Sequence, residues 1–165
     1  MELLVQNRAH ISEKWSQICE TYSVPTTLYD HQMDTISLLM SRQNIFCGFP
    51  TGAGKSLAQL AGVLFTGGVA LVIPPLITIE KEMVDVCKSW KISFLDLSAF
   101  SNPEDIDAMI QSTDPKIIIA SVEKISDSKV QKALLNLKLD YVAIDEAQVN
   151  VYTWRFHYLS LIILV

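Results

Sequence analysis

The sequence predicts an α/β protein, a three-layer sandwich whose mostly parallel sheet carries helices on both faces. Three observations predict it. Short continuous apolar runs, such as Val69-Ala70-Leu71-Val72-Ile73, alternate with segments of helical periodicity, as buried parallel strands joined by crossover helices do. A glycine-rich turn, Phe49-Pro50-Thr51-Gly52-Ala53-Gly54-Lys55-Ser56, sits between one such run and a helix-compatible stretch. Half of the 165 residues are hydrophobic, enough for one buried core.

In chain order, Ile11, Trp15, Ile18 and Tyr22 make an apolar stripe on a helix over 10–23, whose expected role is packing. Pro25-Thr26-Thr27 stops that helix and offers caps for a second over 28–41, with Met33, Ile36, Leu39 and Met40 on its apolar face. Residues 44–47 form the strand that enters the glycine turn, and 56–65 the helix that leaves it. A strand over 69–73 ends at Pro74-Pro75, and a helix over 76–90 follows through Ile79, Met83, Val86, Cys87 and Trp90. Further strands are expected over 92–97, 116–120, 141–144 and 160–165. Helices fit over 104–111, opened by Asn102-Pro103-Glu104, and over 127–137. No second core, repeat or low-complexity linker is visible. The expected division is an N-terminal helical extension over 1–24 and one α/β lobe over 25–165.

Composition narrows the function. With 13 basic and 18 acidic residues the net charge is −5, which argues against nucleic-acid binding through a diffuse basic surface. Any polyanion must be held by a few placed groups. The odd count of three cysteines, Cys19, Cys47 and Cys87, widely spaced in apolar surroundings, reads as reduced thiols of an intracellular protein. The N-terminus lacks the basic flank and apolar stretch of a secretory signal. No charge falls between Leu57 and Ile79, but Gly67-Gly68 and Pro74-Pro75 break the run where a helix gives way to a strand and the strand to a helix, so no membrane span is expected. His10, His31 and His157 are isolated and read as surface or loop residues.

The glycine turn is a phosphate-binding loop. Gly52 and Gly54 let the backbone aim successive N–H groups inward, Lys55 offers a point charge to β- and γ-phosphates, and the Ser56 hydroxyl can ligate Mg²⁺. Far downstream the apolar run Tyr141-Val142-Ala143-Ile144 ends in Asp145 and Glu146. Asp145 at a strand tip can hold Mg²⁺, and Glu146 can polarise the water that attacks a γ-phosphate. Together these groups describe an ATP-hydrolysing site rather than a bare nucleotide clamp.

Four segments now carry a resemblance: the phosphate loop, Ile73-Pro74-Pro75-Leu76-Ile77-Thr78-Ile79, Ala120-Ser121-Val122-Glu123-Lys124-Ile125, and Asp145-Glu146-Ala147-Gln148. In that order they resemble the first motor-domain motifs of superfamily-2 helicases, most closely the RecQ-type DNA helicases. The resemblance covers about residues 26–165 and implies a RecA-like P-loop NTPase fold with ATP and Mg²⁺ as cofactors. It implies that Gln32 contacts adenine, that Pro50, Thr51, Gly52, Ala53, Gly54, Lys55 and Ser56 hold the phosphates, and that Gln148 stands where the family usually has a His linking the ATP site to the nucleic-acid track. Pro75, Leu76, Ser121 and Glu123 match segments that touch nucleic acid. Trp154 and Arg155 fall in an aromatic stretch similar to the family's loop coupling DNA to ATP hydrolysis. Single-stranded or forked DNA as partner and 3′ to 5′ polarity are likewise implied, as is a nuclear place in a eukaryote or a cytoplasmic one otherwise.

This chain departs from the pattern at Phe49, where the general loop has Gly, at Tyr29, where the family has Arg, and at Gln148. The expected chain also lacks the second RecA-like lobe with its arginines. Two readings stand: the ATP-binding lobe of an ATP-dependent DNA helicase, or a truncated, non-catalytic nucleotide-binding module. A small-molecule kinase would leave Gln32 and the acidic pair without roles.

Overall fold

Parallel strands cannot be joined by tight turns, so each must be followed by a crossover that returns the chain to the opposite end of the sheet. The computed structural model, which describes residues 2–24, 27–49, 52–99, 106–113, 116–145 and 161–164, has that order. It runs α1 (Glu2–Tyr22), α2 (Asp30–Met40), β1 (Ile45–Phe46), α3 (Lys55–Thr66), β2 (Ala70–Ile73), α4 (Ile77–Ser89) and β3 (Phe94–Asp96). After a 3-10 turn at Leu97–Ala99 come α5 (Ile106–Thr113), β4 (Ile117–Ile119), α6 (Val122–Ile125), α7 (Ser128–Leu135), β5 (Tyr141–Asp145) and β6 (Leu161–Leu164).

The strands form one sheet in the order β1-β6-β5-β2-β4-β3. Pairing is parallel from β5 through β2 and β4 to β3. β6 is antiparallel to both neighbours, with Leu161 opposite Asp145 and Ile163 opposite Ile45, so β1 points the same way as β5. The strand expected over 160–165 is therefore present but reversed. Its direction follows from the chain re-entering the sheet at the edge where β5 leaves it.

Alternation along each strand builds two cores. Ala70, Val72, Ile117, Ile119, Tyr141 and Ala143 face a cluster supplied by α1 to α4, with Ile11, Trp15, Ile36, Leu60, Met83 and Trp90. Leu71, Ile73, Ile118 and Leu95 face the opposite cluster, with Ile106 of α5 and Val130, Ala133 and Leu134 of α7. These are the three layers that the apolar runs predicted.

Several boundaries moved for physical reasons. α1 begins at Glu2, well before residue 10. Arg8 grips Asp34 with Nε and Nη2, both at 2.6 Å, and Asp30 with Nη1 at 2.9 Å, a fork that clamps α1 on α2 and leaves no mark in apolar periodicity. α2 is capped at Tyr29, not at the threonines: the Tyr29 N–H donates to Gln32 Oε1 at 2.8 Å. Met40 lies on the exposed side of that helix. The short helix α6 was not expected; Ser121 caps it by accepting the Lys124 N–H at 3.3 Å. The cap expected at 102–104 lies outside the described residues.

Among the described residues Cys19, Cys47 and Cys87 form no disulfide, the latter two are buried, and burial pushes the Cys87 thiol up to about 12. The uncharged stretch from Leu57 to Ile79 is divided among α3, β2 and the start of α4, and among the described residues no helix is long and apolar enough to cross a membrane.

Candidate nucleotide site and adjoining groove

The loop between β1 and α3 needs a backbone that L side chains avoid. Gly52 has φ +81° and Gly54 φ +73°, both left-handed, which only glycine adopts without strain. Gly54 is the N-cap of α3 and has no side chain to bond the first-turn N–H groups. Those donors, at the positive end of a twelve-residue helix, are available to an anion.

The first turn of α2 shapes the loop from behind. Gln32 is 1% exposed, and its Nε2 donates to Gly54 O at 3.0 Å while its Oε1 holds the Tyr29 N–H. His31 Nε2–H donates to Ala53 O at 2.8 Å. In a trans peptide the N–H points away from the C=O of the same plane. Turning the carbonyls of Ala53 and Gly54 toward α2 therefore turns the N–H groups of Gly54 and Lys55 toward the concave side, where a phosphate would sit. A Cβ on Gly54 would collide with Gln32 Nε2.

His31 is thus part of the site rather than an isolated surface residue. Its ring stacks on Tyr29, centroids 5.6 Å apart and planes 12° from parallel, and tilts against Phe49 at 4.7 Å. The departures at Tyr29 and Phe49 join in one aromatic brace for the loop. A histidine immediately before Gln32 was the available sequence signal, but its carbonyl partner is distant in the chain. Both ends of the Gln32 amide are engaged inside the fold, and through these two bonds it braces the loop.

Tyr141 seats α3 on the sheet. Its hydroxyl donates to Gln59 O, and Gly62, where a Cβ would meet Leu39 Cδ1 at 2.7 Å, leaves the space. Complete burial pushes the Tyr141 phenol well above its usual range, so it stays a donor. Asp145 lies on the same face of β5 as Tyr141 and Ala143, 5% exposed and engaged in contacts of its own. β6 separates β1 from β5, which puts them about 10 Å apart at the usual strand spacing. Because β1 and β5 point the same way, the turn bearing Lys55 and Ser56 and the tip bearing Asp145 stand at one edge of the sheet. Lys55 and Ser56 are half-buried in the first turn of α3. The donor set of glycine N–H groups, an ammonium, a hydroxyl and a carboxylate fits a magnesium-bound triphosphate. Pro50, Thr51, Glu146, Gln148, Trp154 and Arg155 lie outside the described residues.

At the same edge, beyond β2, β4 and β3, opens a groove of about 1000 Å³. It brings together Pro75, Leu76, Ser121 and Glu123, and adds Glu80 and Asp96, which neither a motif nor apolar periodicity marks in the sequence. Leu76 and Ile77 are 57% and 69% exposed at its rim.

A glycine cradle at a helix N-terminus, with a carboxylate at the tip of a strand pointing the same way, defines a P-loop nucleotide-binding lobe of the RecA-like class. The chain belongs to the DEAD/DEAH box helicase family, which its residues 29–162 match, and it is a RecQ-like superfamily-2 lobe. It is 34% identical over 125 residues to the ATP-dependent DNA helicase Q1 of Mus musculus, covering 70% of this chain and 19% of that protein. To the ATP-dependent DNA helicase RecQ of Bacillus subtilis (strain 168) it is 28% identical over 110 residues, 65% of this chain and 19% of that one. The chain thus spans about a fifth of the length of the curated relatives it matches.

Proposed function

We propose that this chain is the ATP-binding lobe of a RecQ-like, ATP-dependent DNA helicase that works 3′ to 5′ and couples ATP hydrolysis to unwinding. The observation that carries the reading is the bonding of the loop: Ala53 and Gly54 carbonyls are drawn back by His31 and Gln32, so the adjoining N–H groups face forward.

When bound, ATP supplies the phosphoryl group and Mg²⁺ offsets its developing charge. The loop amides and Lys55 would grip the β- and γ-phosphates, Ser56 and Asp145 would hold the metal, and Glu146 would take a proton from the attacking water. Gln148 would link this site to nucleic acid at Pro75, Leu76, Ser121, Glu123, Trp154 and Arg155.

A second reading, a nucleotide-binding module without turnover, is favoured by one observation. Among the described residues both arginines are held in ion pairs, Arg8 with Asp30 and Asp34 and Arg42 with Asp140. Arginines that stabilise the transition state are worth on the order of 10³ or more in rate.

Calorimetric titration of MgATP into the wild-type chain and Lys55→Ala tests the shared core of both readings. Binding is expected only in the wild type, and retained affinity in the variant refutes both. Steady-state turnover with and without single-stranded DNA then separates them, because DNA-stimulated hydrolysis excludes the second.

A further inference from the structure

The phosphate loop is held from behind by the first turn of α2, and that turn needs holding itself. Helix ends fray because their outermost groups lack intrahelical partners, and His31 and Gln32 lie directly after the start of α2 at Asp30. The turn is stapled from outside. Asp30 and Asp34 are four residues apart, one above the other on the same face of α2, and the Arg8 guanidinium bonds both. It reaches Asp34 through Nε and Nη2 at 2.6 Å and Asp30 through Nη1 at 2.9 Å. One planar group thus spans the two residues that bracket His31 and Gln32. The helix carrying Arg8 has a fixed base of its own. Ile11, Trp15 and Ile18 of α1 are buried in the core, Trp15 stacks on Phe65 near the far end of α3 with ring centroids 6.0 Å apart, and Lys14 Nζ donates to Phe65 O at 3.1 Å.

We propose that Arg8 is a positioning residue for nucleotide binding, acting through Asp30 and Asp34 on the turn that shapes the phosphate loop. The chain of contacts is short. Arg8 fixes the pitch of α2 between residues 30 and 34, the pitch fixes where His31 Nε2 and Gln32 Nε2 stand, and those two donors draw back the carbonyls of Ala53 and Gly54. Arginine suits this task because its rigid fork meets both oxygens of Asp34 at once while a third N–H reaches Asp30, an arrangement that an ammonium cannot reproduce. It also offsets two carboxylates that repel one another at this helical spacing. The inference rests on the reading of residues 52–56 as a phosphate loop, and adds to it a group on a separate helix that no motif of the loop includes.

The test compares the full chain as wild type, Arg8→Ala, Arg8→Lys and Lys14→Ala in two measurements. The first is hydrogen exchange at the Gln32 and Met33 amides, which donate to Tyr29 O at 2.9 and 3.0 Å. The second is calorimetric titration with magnesium tripolyphosphate and with MgATP. Arg8→Ala should speed exchange at both amides and weaken both ligands by about two- to fivefold, the range for an ion pair whose side chains are 33% and 31% exposed. Arg8→Lys, which keeps the charge and loses the fork, should fall between it and the wild type. Lys14→Ala cuts a contact of α1 at the far end of α3 and should change neither measurement. A contact that only adds stability would lower resistance to urea without moving either affinity, because nearly every molecule stays folded. Unchanged exchange in Arg8→Ala, faster exchange with wild-type affinities, or an equal effect from Lys14→Ala would each overturn the proposal and leave the phosphate-loop reading intact. A wild type that binds neither probe would refute that reading, and the proposal with it.

Discussion

Replacing Gln32 by alanine separates two roles that the same residue could have. Its Nε2 bond to Gly54 O and its Oε1 bond from the Tyr29 N–H are each worth about 0.5–1 kcal/mol net, at the low end because Gly54 is half-buried and Tyr29 is 62% exposed, so water can reach the freed partners. Loss of both loosens the loop by about 1–2 kcal/mol, equivalent to roughly 5- to 30-fold in affinity for whatever the loop holds. The assay is calorimetric titration of the magnesium complexes of ATP, GTP and tripolyphosphate into wild type and Gln32→Ala. A residue that positions the loop lowers all three affinities by the same factor. A loss confined to ATP, with tripolyphosphate unchanged, would refute this reasoning and return Gln32 to the base. Gln32→Glu should be worse than alanine, because it turns an acceptor toward the Gly54 carbonyl.

The remaining predictions use stability. Gly54→Ala combines a positive φ with a collision at Gln32 Nε2, so urea unfolding should show a loss of about 1–3 kcal/mol; wild-type stability would contradict the loop geometry. Tyr141→Phe leaves the ring and removes the bond to Gln59 O, for an expected loss of about 1–2 kcal/mol by the same measurement. Asp140 should give an acid-side dependence: burial pushes its carboxyl up, but the neighbouring Thr66 hydroxyl, the Arg42 hydrogen bond and charge and the Gly68 backbone outweigh it and hold the group below its ordinary value. Its stabilisation is therefore present above pH 3.8 and fades as pH falls through the lowered value. Arg42→Ala should shrink that acid-side loss and lower neutral-pH stability by about 1 kcal/mol, since Arg42 is 57% exposed; an unchanged pH profile would count against the pair.

The layers of the fold could be read before any coordinates because buried parallel strands are continuous apolar runs, and Ala70 to Ile73 or Ile117 to Ile119 can be little else. The phosphate loop was legible for a similar reason: Gly52 and Gly54 are chemistry written locally. Features that depend on a distant partner were not. The first turns of α1 hang on the Arg8 fork to Asp30 and Asp34, and His31 acquires a role only through the Ala53 carbonyl. Glu80 is buried in a groove that it shares with Asp96 and Glu123, neighbours that the periodicity of α4 does not encode. The reversal of β6 is set by how the chain returns from β5, which apolar content alone cannot encode.

β1 is two residues long, and β6 is its sheet neighbour. The rigidity of the phosphate cradle is therefore borrowed from the last described strand. A protease cut or stop codon at residue 160 would strip β1 of its backbone ladder and expose the flank of β5 to aggregation by edge pairing. The phosphate loop and β6 would fail together, although more than a hundred residues of sequence lie between them.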